Sequence, residues 1–200
     1  MSGAPPTSGA AMSAPGSNQA MWVFSQDEGW TRSEQMYKTM QAVEIDDIIL
    51  PPEQYKLITR DTAGFFASRQ LYSSIKAPWR RGLLFCGPPG NGKTLLTRLI
   101  LNELSKFPAA PPPLYVKSLS SFSPQTQLSA IFQRARACAP CVLVLDHIDA
   151  ILNEDDPRLR AQLLNELDNL EGNEGLLLIA TTNRLDKVDE AISKRPVSPS

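Results

Sequence analysis

From Gly82 onward the chain alternates two patterns of apolar residues. Short unbroken runs read as strands buried on both faces: Leu83-Leu84-Phe85-Cys86, Leu114-Tyr115-Val116, Cys141-Val142-Leu143-Val144-Leu145, and Leu176 to Ala180. Between them lie stretches with apolar side chains at helical spacing. These are Lys93 to about Lys106, with Leu95, Leu96, Leu99 and Ile100 facing inward, Thr126 to Ala137 with Leu128, Ile131 and Phe132, and Arg158 to Leu170. Strand-helix alternation predicts an α/β fold with a central parallel sheet and helices on both faces, hence three layers. No internal repeat is visible.

Upstream the pattern is less regular. Residues 1–20 are Gly, Ala, Pro and Ser with little else, which predicts a disordered low-complexity tail that cannot bury a core. Residues 21–76 are expected to form a linker with a helical extension. Within it, Trp22-Val23-Phe24 suits a short strand, and Met36, Met40 and Val43 give a helical stripe over Ser33 to Val43 with Ser33 as the cap. Glu53 to Ser74 reads as a helix built around Leu57, Phe65, Phe66 and Leu71. The main domain is expected over residues 77–196.

The first strand of that domain runs into Gly87-Pro88-Pro89-Gly90-Asn91-Gly92-Lys93-Thr94, followed by Leu95 in the next helix. This fits G-x-x-x-x-G-K-[ST] between a strand and a helix, the context a phosphate-binding loop requires. Glycines let backbone N–H groups turn toward phosphate oxygens without a Cβ in the way, and the helix N-terminus adds positive potential. Lys93 can reach the β- and γ-phosphates of a nucleotide, and the Thr94 hydroxyl can ligate Mg²⁺. A second phosphate-site element is expected at the carboxyl end of another parallel strand. The run Val142 to Leu145 ends there in Asp146, suited to hold a Mg²⁺-bound water.

Three segments occur in order: GPPGNGKT at residues 87–94, VLVLDHIDAI at residues 142–151, and ATTNRLDKVDEAISKRP at residues 180–196. Ala135-Arg136 with Ala139-Pro140-Cys141 adds to them. Together they resemble the classical AAA clade of the AAA+ ATPases, over about Ile48 to Pro196. The resemblance implies a P-loop NTPase sandwich that takes ATP and Mg²⁺, assembles into a homo-oligomeric ring and remodels a protein partner. It places Asp146 at the Walker B aspartate and Asn183 at sensor 1, which in the family polarises the attacking water and reads the γ-phosphate. Ile48 falls in the stretch whose backbone borders adenine. The implied catalytic set is Lys93, Asp146, His147 and Asn183, with Thr94 and Asp146 toward the metal.

Two departures bear on activity. The family follows the Walker B Asp with a glutamate that activates the attacking water, and here that position is His147, the chain's one histidine. A neutral imidazole can accept a proton, but its reach differs from that of a carboxylate. Asp149 can substitute only through a rearranged loop. After sensor 1 the family carries two finger arginines. Arg195-Pro196 matches the first, but Ser198 stands at the second and the sequence ends at Ser200. On this resemblance the fifth strand and the helical lid, with its sensor 2 arginine, are absent, which exposes Leu83 to Cys86 as a sheet edge and argues against a ring. Phe122-Ser123-Pro124 lies near the family's aromatic-x-Gly pore loop without the glycine, and Phe122 is expected as a partly buried loop aromatic.

An active remodelling ATPase therefore competes with an ATP-binding, hydrolysis-deficient regulatory or scaffold protein. A third alternative is a P-loop kinase or GTPase, disfavoured by Thr181-Thr182-Asn183 after the fourth strand and by the absence of an Asn-Lys-x-Asp motif. A fourth is a chain too short to fold. Composition adjusts this picture little. The 20 basic and 21 acidic residues leave a net charge of −1, against a nucleic-acid footprint. No apolar run approaches the roughly 18 residues of a membrane span, and no secretory leader is recognisable, so an intracellular, cytoplasmic protein is expected by elimination. The 3 cysteines are too few for a disulfide framework. Cys138 and Cys141 fit small apolar residues at a helix-to-strand junction rather than a redox pair, which belongs at a helix N-terminus.

Overall fold

The computed structural model describes residues 20–119, 122–151, 157–169 and 172–184. The expected tail up to residue 19, and Arg195, Pro196 and Ser198, lie outside the described residues. Six strands form one sheet in the order β2-β1-β4-β5-β6-β3. Four of them, β3 (Arg80–Cys86), β4 (Pro113–Val116), β5 (Cys141–Leu145) and β6 (Leu176–Thr182), are the apolar runs of the main domain. They pair in parallel, Leu143 opposite Leu114 and Leu178, and Leu84 opposite Ala180.

The remaining two strands correct the expected layout. Residues 21–33 are not a linker: β1 (Met21–Ser25) pairs in parallel with β4, Val23 opposite Tyr115, and β2 (Gly29–Ser33) folds back on β1 antiparallel. The sheet is thus mostly rather than wholly parallel. Gly29, at φ 67°, permits the tight reversal. Trp22 and Trp30 stack on Arg134, whose guanidinium carbon lies 4.4 Å and 5.3 Å from the two ring centres, so this hairpin is packed against the helix layer.

Side chains on the central strands alternate between two cores. Leu143, Leu145, Leu176 and Ala180 face α5 (Pro124–Ala137) and α7 (Pro157–Asp168), with Ile131, Phe132 and Leu163 completely buried. Val142, Val144, Leu177 and Ile179 face the opposite core with Met40 of α1 (Glu34–Gln41), Phe65 of α2 (Pro52–Ala67) and Ile100 of α4 (Lys93–Ser105). The expected three layers are present. Ser33 caps α1 by accepting from the Met36 N–H at 3.1 Å.

Two expected inner faces hold in part. In α4 the expected Leu99 and Ile100 are buried, joined by Thr97, Leu101 and Leu104, and Leu96 packs partly against the same core, whereas Leu95 is only half-buried. Among the described residues β3 has a neighbour on one side only. The long helix expected over residues 53–74 breaks at Ser68 into α2 and α3 (Arg69–Ser74). Leu57 and Leu71 are 57% and 59% exposed, whereas Thr62 and Phe65 are the buried residues of α2, with Phe65 against Trp79.

Trp79 ties this segment to the sheet. Its Nε1–H donates to the Phe65 carbonyl at 2.9 Å and its backbone N–H to Glu174 Oε1 at 3.1 Å. Its ring is 6% exposed. Trp79→Ala removes the buried ring and one donor to that carbonyl, which keeps the Ser68 N–H at 3.2 Å, so it is expected to cost about 3–5 kcal/mol in urea unfolding. A loss below about 1 kcal/mol, within the range of ordinary surface substitutions, would mean that α2 and α3 are held otherwise.

Candidate nucleotide site

The loop Gly87–Gly92 leaves the carboxyl end of β3 and delivers the chain into α4. Gly90 and Gly92 have φ of 84° and 72°, backbone that L side chains rarely adopt, and a Cβ at either would meet nothing within 4 Å. The space beside the loop is therefore open. The Gly87 N–H donates to the Thr182 carbonyl at 3.3 Å, anchoring the loop to the end of β6.

Lys93, the first residue of α4, is only 9% exposed. Its ammonium donates to the Gly87 and Pro88 carbonyls, both at 2.8 Å. Among the described residues no carboxylate lies within ion-pair distance of it. A buried ammonium held only by carbonyl dipoles, beside an open cradle at a helix N-terminus, fits an incoming polyanion that supplies the missing charge.

Asp146 closes β5 and is 8% exposed. Three hydroxyls converge on its carboxylate. Thr94 donates to Oδ1 at 3.2 Å and lies 3.4 Å from Oδ2, Thr181 donates to Oδ1 at 2.6 Å, and the Tyr115 phenol donates to Oδ2. The structure thus brings Thr94 and Asp146, on separate elements, into direct contact. Among the described residues no cationic side chain forms an ion pair with this carboxylate. A hydroxyl oxygen beside such a buried carboxylate is a hard oxygen donor set, suited to Mg²⁺.

His147 follows with φ 54°, a left-handed conformation in which His is among the better-tolerated side chains. Its N–H donates to Thr181 Oγ1 at 2.9 Å, and its exposed ring places Nδ1 3.5 Å from Asn183 Nδ2. Asn183 Oδ1 is buried and accepts no hydrogen bond among the described residues. Asp149 is committed elsewhere, accepting from the Asn183 N–H at 3.1 Å. Burial works against its ionisation, yet the Asn183 N–H, the Thr182 hydroxyl and the nearby His147 together hold its carboxyl below the ordinary range. It is therefore not free to stand in for a base at His147.

Other candidates make no hydrogen bond to this cluster among the described residues. Ile48 is half-buried and makes local backbone bonds, to Ile45 and Leu50. Phe122, expected to be partly buried, is 98% exposed. Cys141 is buried in β5 with its thiol pushed up to about 12 by burial and by Cys138, and Cys138 ends α5, as the helix-to-strand junction requires. Tyr115 escapes sequence reasoning because a tyrosine in an apolar strand reads as core filling. The lone phenol among Leu114 and Val116 is its only signal.

Comparison with known proteins agrees with the geometry. The sequence model described as "ATPase family associated with various cellular activities (AAA)" matches residues 83–197. The chain is 32% identical over 158 residues to ATP-dependent zinc metalloprotease FtsH 3 of Synechocystis sp., covering 71% of this chain and 25% of that protein. It is 34% identical over 173 residues to ATP-dependent zinc metalloprotease FtsH of Buchnera aphidicola, covering 72% and 27%. The corresponding figures for FtsH 2 of Thermoanaerobacter sp. are 34% over 136 residues, 64% and 26%. The chain spans about a quarter of the length of these relatives. No helix among the described residues is long and apolar enough to cross a membrane. With the phosphate-loop sequence, the Thr94–Asp146 contact and a family match over more than half its length, this chain belongs to the AAA family of P-loop ATPases.

Proposed function

We propose that this chain binds Mg-ATP at the loop Gly87–Thr94 and hydrolyses it slowly, as a nucleotide-driven module acting on a protein partner. The observation that carries the reading is the contact of the Thr94 hydroxyl with Asp146 at 3.2 Å, beside the buried Lys93 ammonium. Bound Mg²⁺ would supply charge neutralisation between the phosphates. The backbone N–H groups of the loop and the Lys93 ammonium bind and orient the phosphate oxygens. Thr94 and Asp146 would hold the ion, Thr94 directly and Asp146 through water. Asn183 Oδ1, buried and without a donor, is an acceptor available to a water on the γ-phosphate side. His147 offers a proton acceptor beside Asn183 Nδ2, and its imidazole lacks the charge of a carboxylate, which supports slow rather than fast turnover.

The relatives are ATP-dependent zinc metalloproteases by name. The 200 residues of this chain hold one histidine and so no H-E-x-x-H zinc motif. What carries over is the ATP-dependent step and, with it, action on a protein substrate, whose identity the site does not specify. A homo-oligomeric ring is the assembly the family suggests.

Lys93→Ala tests the reading. Removing a buried cation that faces phosphate is expected to weaken ATP binding on the order of 100-fold in calorimetric titration. Equal affinity in the variant would place the nucleotide elsewhere.

A further inference from the structure

The Asp146 carboxylate is held from two sides by groups that the proposed reaction does not itself consume. On one oxygen sits Thr181 at 2.6 Å, already tied to the chain by accepting the His147 N–H at 2.9 Å. On the other sits the phenol of Tyr115, which is 3% exposed. Tyr115 projects from the middle of β4, where its backbone is fixed by register to Val23 of β1 and to Val144 of β5. Its ring is packed in the core with Val144 and Ile179. The phenol is therefore a donor on a rigid mount, aimed at a carboxylate at the end of the neighbouring strand. A phenol facing a carboxylate, which has only acceptors, donates its O–H to it.

We infer that Tyr115 is a positioning residue for the divalent-ion site: its phenol, with the Thr181 hydroxyl, locks the Asp146 carboxylate in the orientation that meets Thr94. Thr94 reaches both carboxylate oxygens, at 3.2 Å and 3.4 Å, because the carboxylate presents its edge to α4. Rotation about the terminal torsion of an Asp is soft, so an unheld carboxylate would not keep that edge. Mg²⁺ demands near-ideal octahedral placement and tolerates little wander in its ligands or their water partners. Groups that hydrogen-bond a metal-site carboxylate from outside orient it, and their loss costs affinity for the ion rather than for the rest of the ligand. A strand residue with an aliphatic or phenyl side chain at position 115 would fill the same core without this constraint.

The inference rests on the Mg-ATP reading above, and the test separates the two. ATP affinity of the full chain is measured by calorimetry in excess Mg²⁺ and again in EDTA, and the ratio gives the coupling between ion and nucleotide. Tyr115→Phe keeps the ring and its packing and removes only the donor. Its coupling ratio is expected to fall about 10-fold or more, with affinity in EDTA unchanged. Mn²⁺ in place of Mg²⁺ should give the same direction. Thr181→Val takes away the other short donor to the same carboxylate and is expected to lower the ratio as well, which keeps the inference testable if the Tyr115 variant unfolds. A Tyr115→Phe ratio equal to that of the unmodified chain overturns the inference alone. So does an equal loss of affinity with and without the ion, which would make Tyr115 a structural residue only. No Mg²⁺ enhancement in the unmodified chain overturns the functional reading and the inference with it.

Discussion

A His147→Glu variant is expected to release phosphate from saturating ATP about 100-fold faster than the unmodified chain, the scale of a well-placed general base. The position already sits where a base is useful. Its backbone is fixed by the N–H bond to Thr181 Oγ1 at 2.9 Å, and its side chain lies beside Asn183, with Nδ1 3.5 Å from Nδ2. What the imidazole lacks is the negative charge and forward reach of a carboxylate. The left-handed backbone at φ 54° strains any residue with a Cβ, so Glu should cost no more than about 1–2 kcal/mol of stability there. Colorimetric phosphate release with ATP binding measured on the same sample checks the result. If ATP binds and the rate stays at background, the limit lies in groups other than residue 147, and a nucleotide-gated scaffold becomes the better reading.

The second large effect belongs to Asp146. Asp146→Asn preserves shape but removes the charge, and it turns an acceptor-only group into one that presents an NH2 to hydroxyls now donating to it. Mg²⁺-dependent ATP affinity is expected to fall on the order of 100-fold, consistent with losing a group that orients the ion, while affinity in EDTA stays close to that of the unmodified chain. Titration of ATP at several Mg²⁺ concentrations measures both. A variant that keeps its Mg²⁺ enhancement would remove Asp146 from the ion site and leave Thr94 without its partner. Together, Asp146→Asn and Tyr115→Phe form a graded pair: the first deletes the charge, the second loosens only its aim.

Much of this arrangement is legible in the sequence because strand, loop and helix each announce themselves locally. The phosphate loop is contiguous, Gly90 and Gly92 fall where φ is positive, and Asp146 ends an apolar run unbroken as in a central parallel strand. That Thr94 meets Asp146 follows once both are placed at the carboxyl ends of parallel strands in one sheet. The parts that are not legible depend on long-range packing. Nothing local in Met21–Ser25 distinguishes a strand in a linker from one that joins β4, and the pairing of Val23 with Tyr115 is a choice made across the chain. The role of Tyr115 is hidden for the same reason: its partner is thirty-one positions away, and an aromatic in a strand has an adequate explanation as core. Leu57 and Leu71 illustrate the opposite error. Their helical spacing suggests burial, but the helix breaks at Ser68 and the buried residues of α2 are Thr62 and Phe65, so Leu57 and Leu71 stay exposed.

Hydrolysis is the step most exposed to test. Lys93, Thr94, Asp146 and the unpartnered Asn183 Oδ1 are the groups on which the proposed binding of a nucleotide with its ion rests. Turnover asks more, since charge on the transferred phosphoryl group needs stabilising and cationic groups outside this set contribute heavily to that in related enzymes. Binding and turnover are therefore separate claims with separate readouts.

The most direct measurement is ATP binding and phosphate release on one purified sample of the full chain in Mg²⁺, with Lys93→Ala alongside. The account predicts Mg²⁺-enhanced ATP binding and slow phosphate release, with binding weakened on the order of 100-fold and phosphate release lost in the variant. ATP binding that is absent, or that is identical in the chain and in Lys93→Ala, contradicts it.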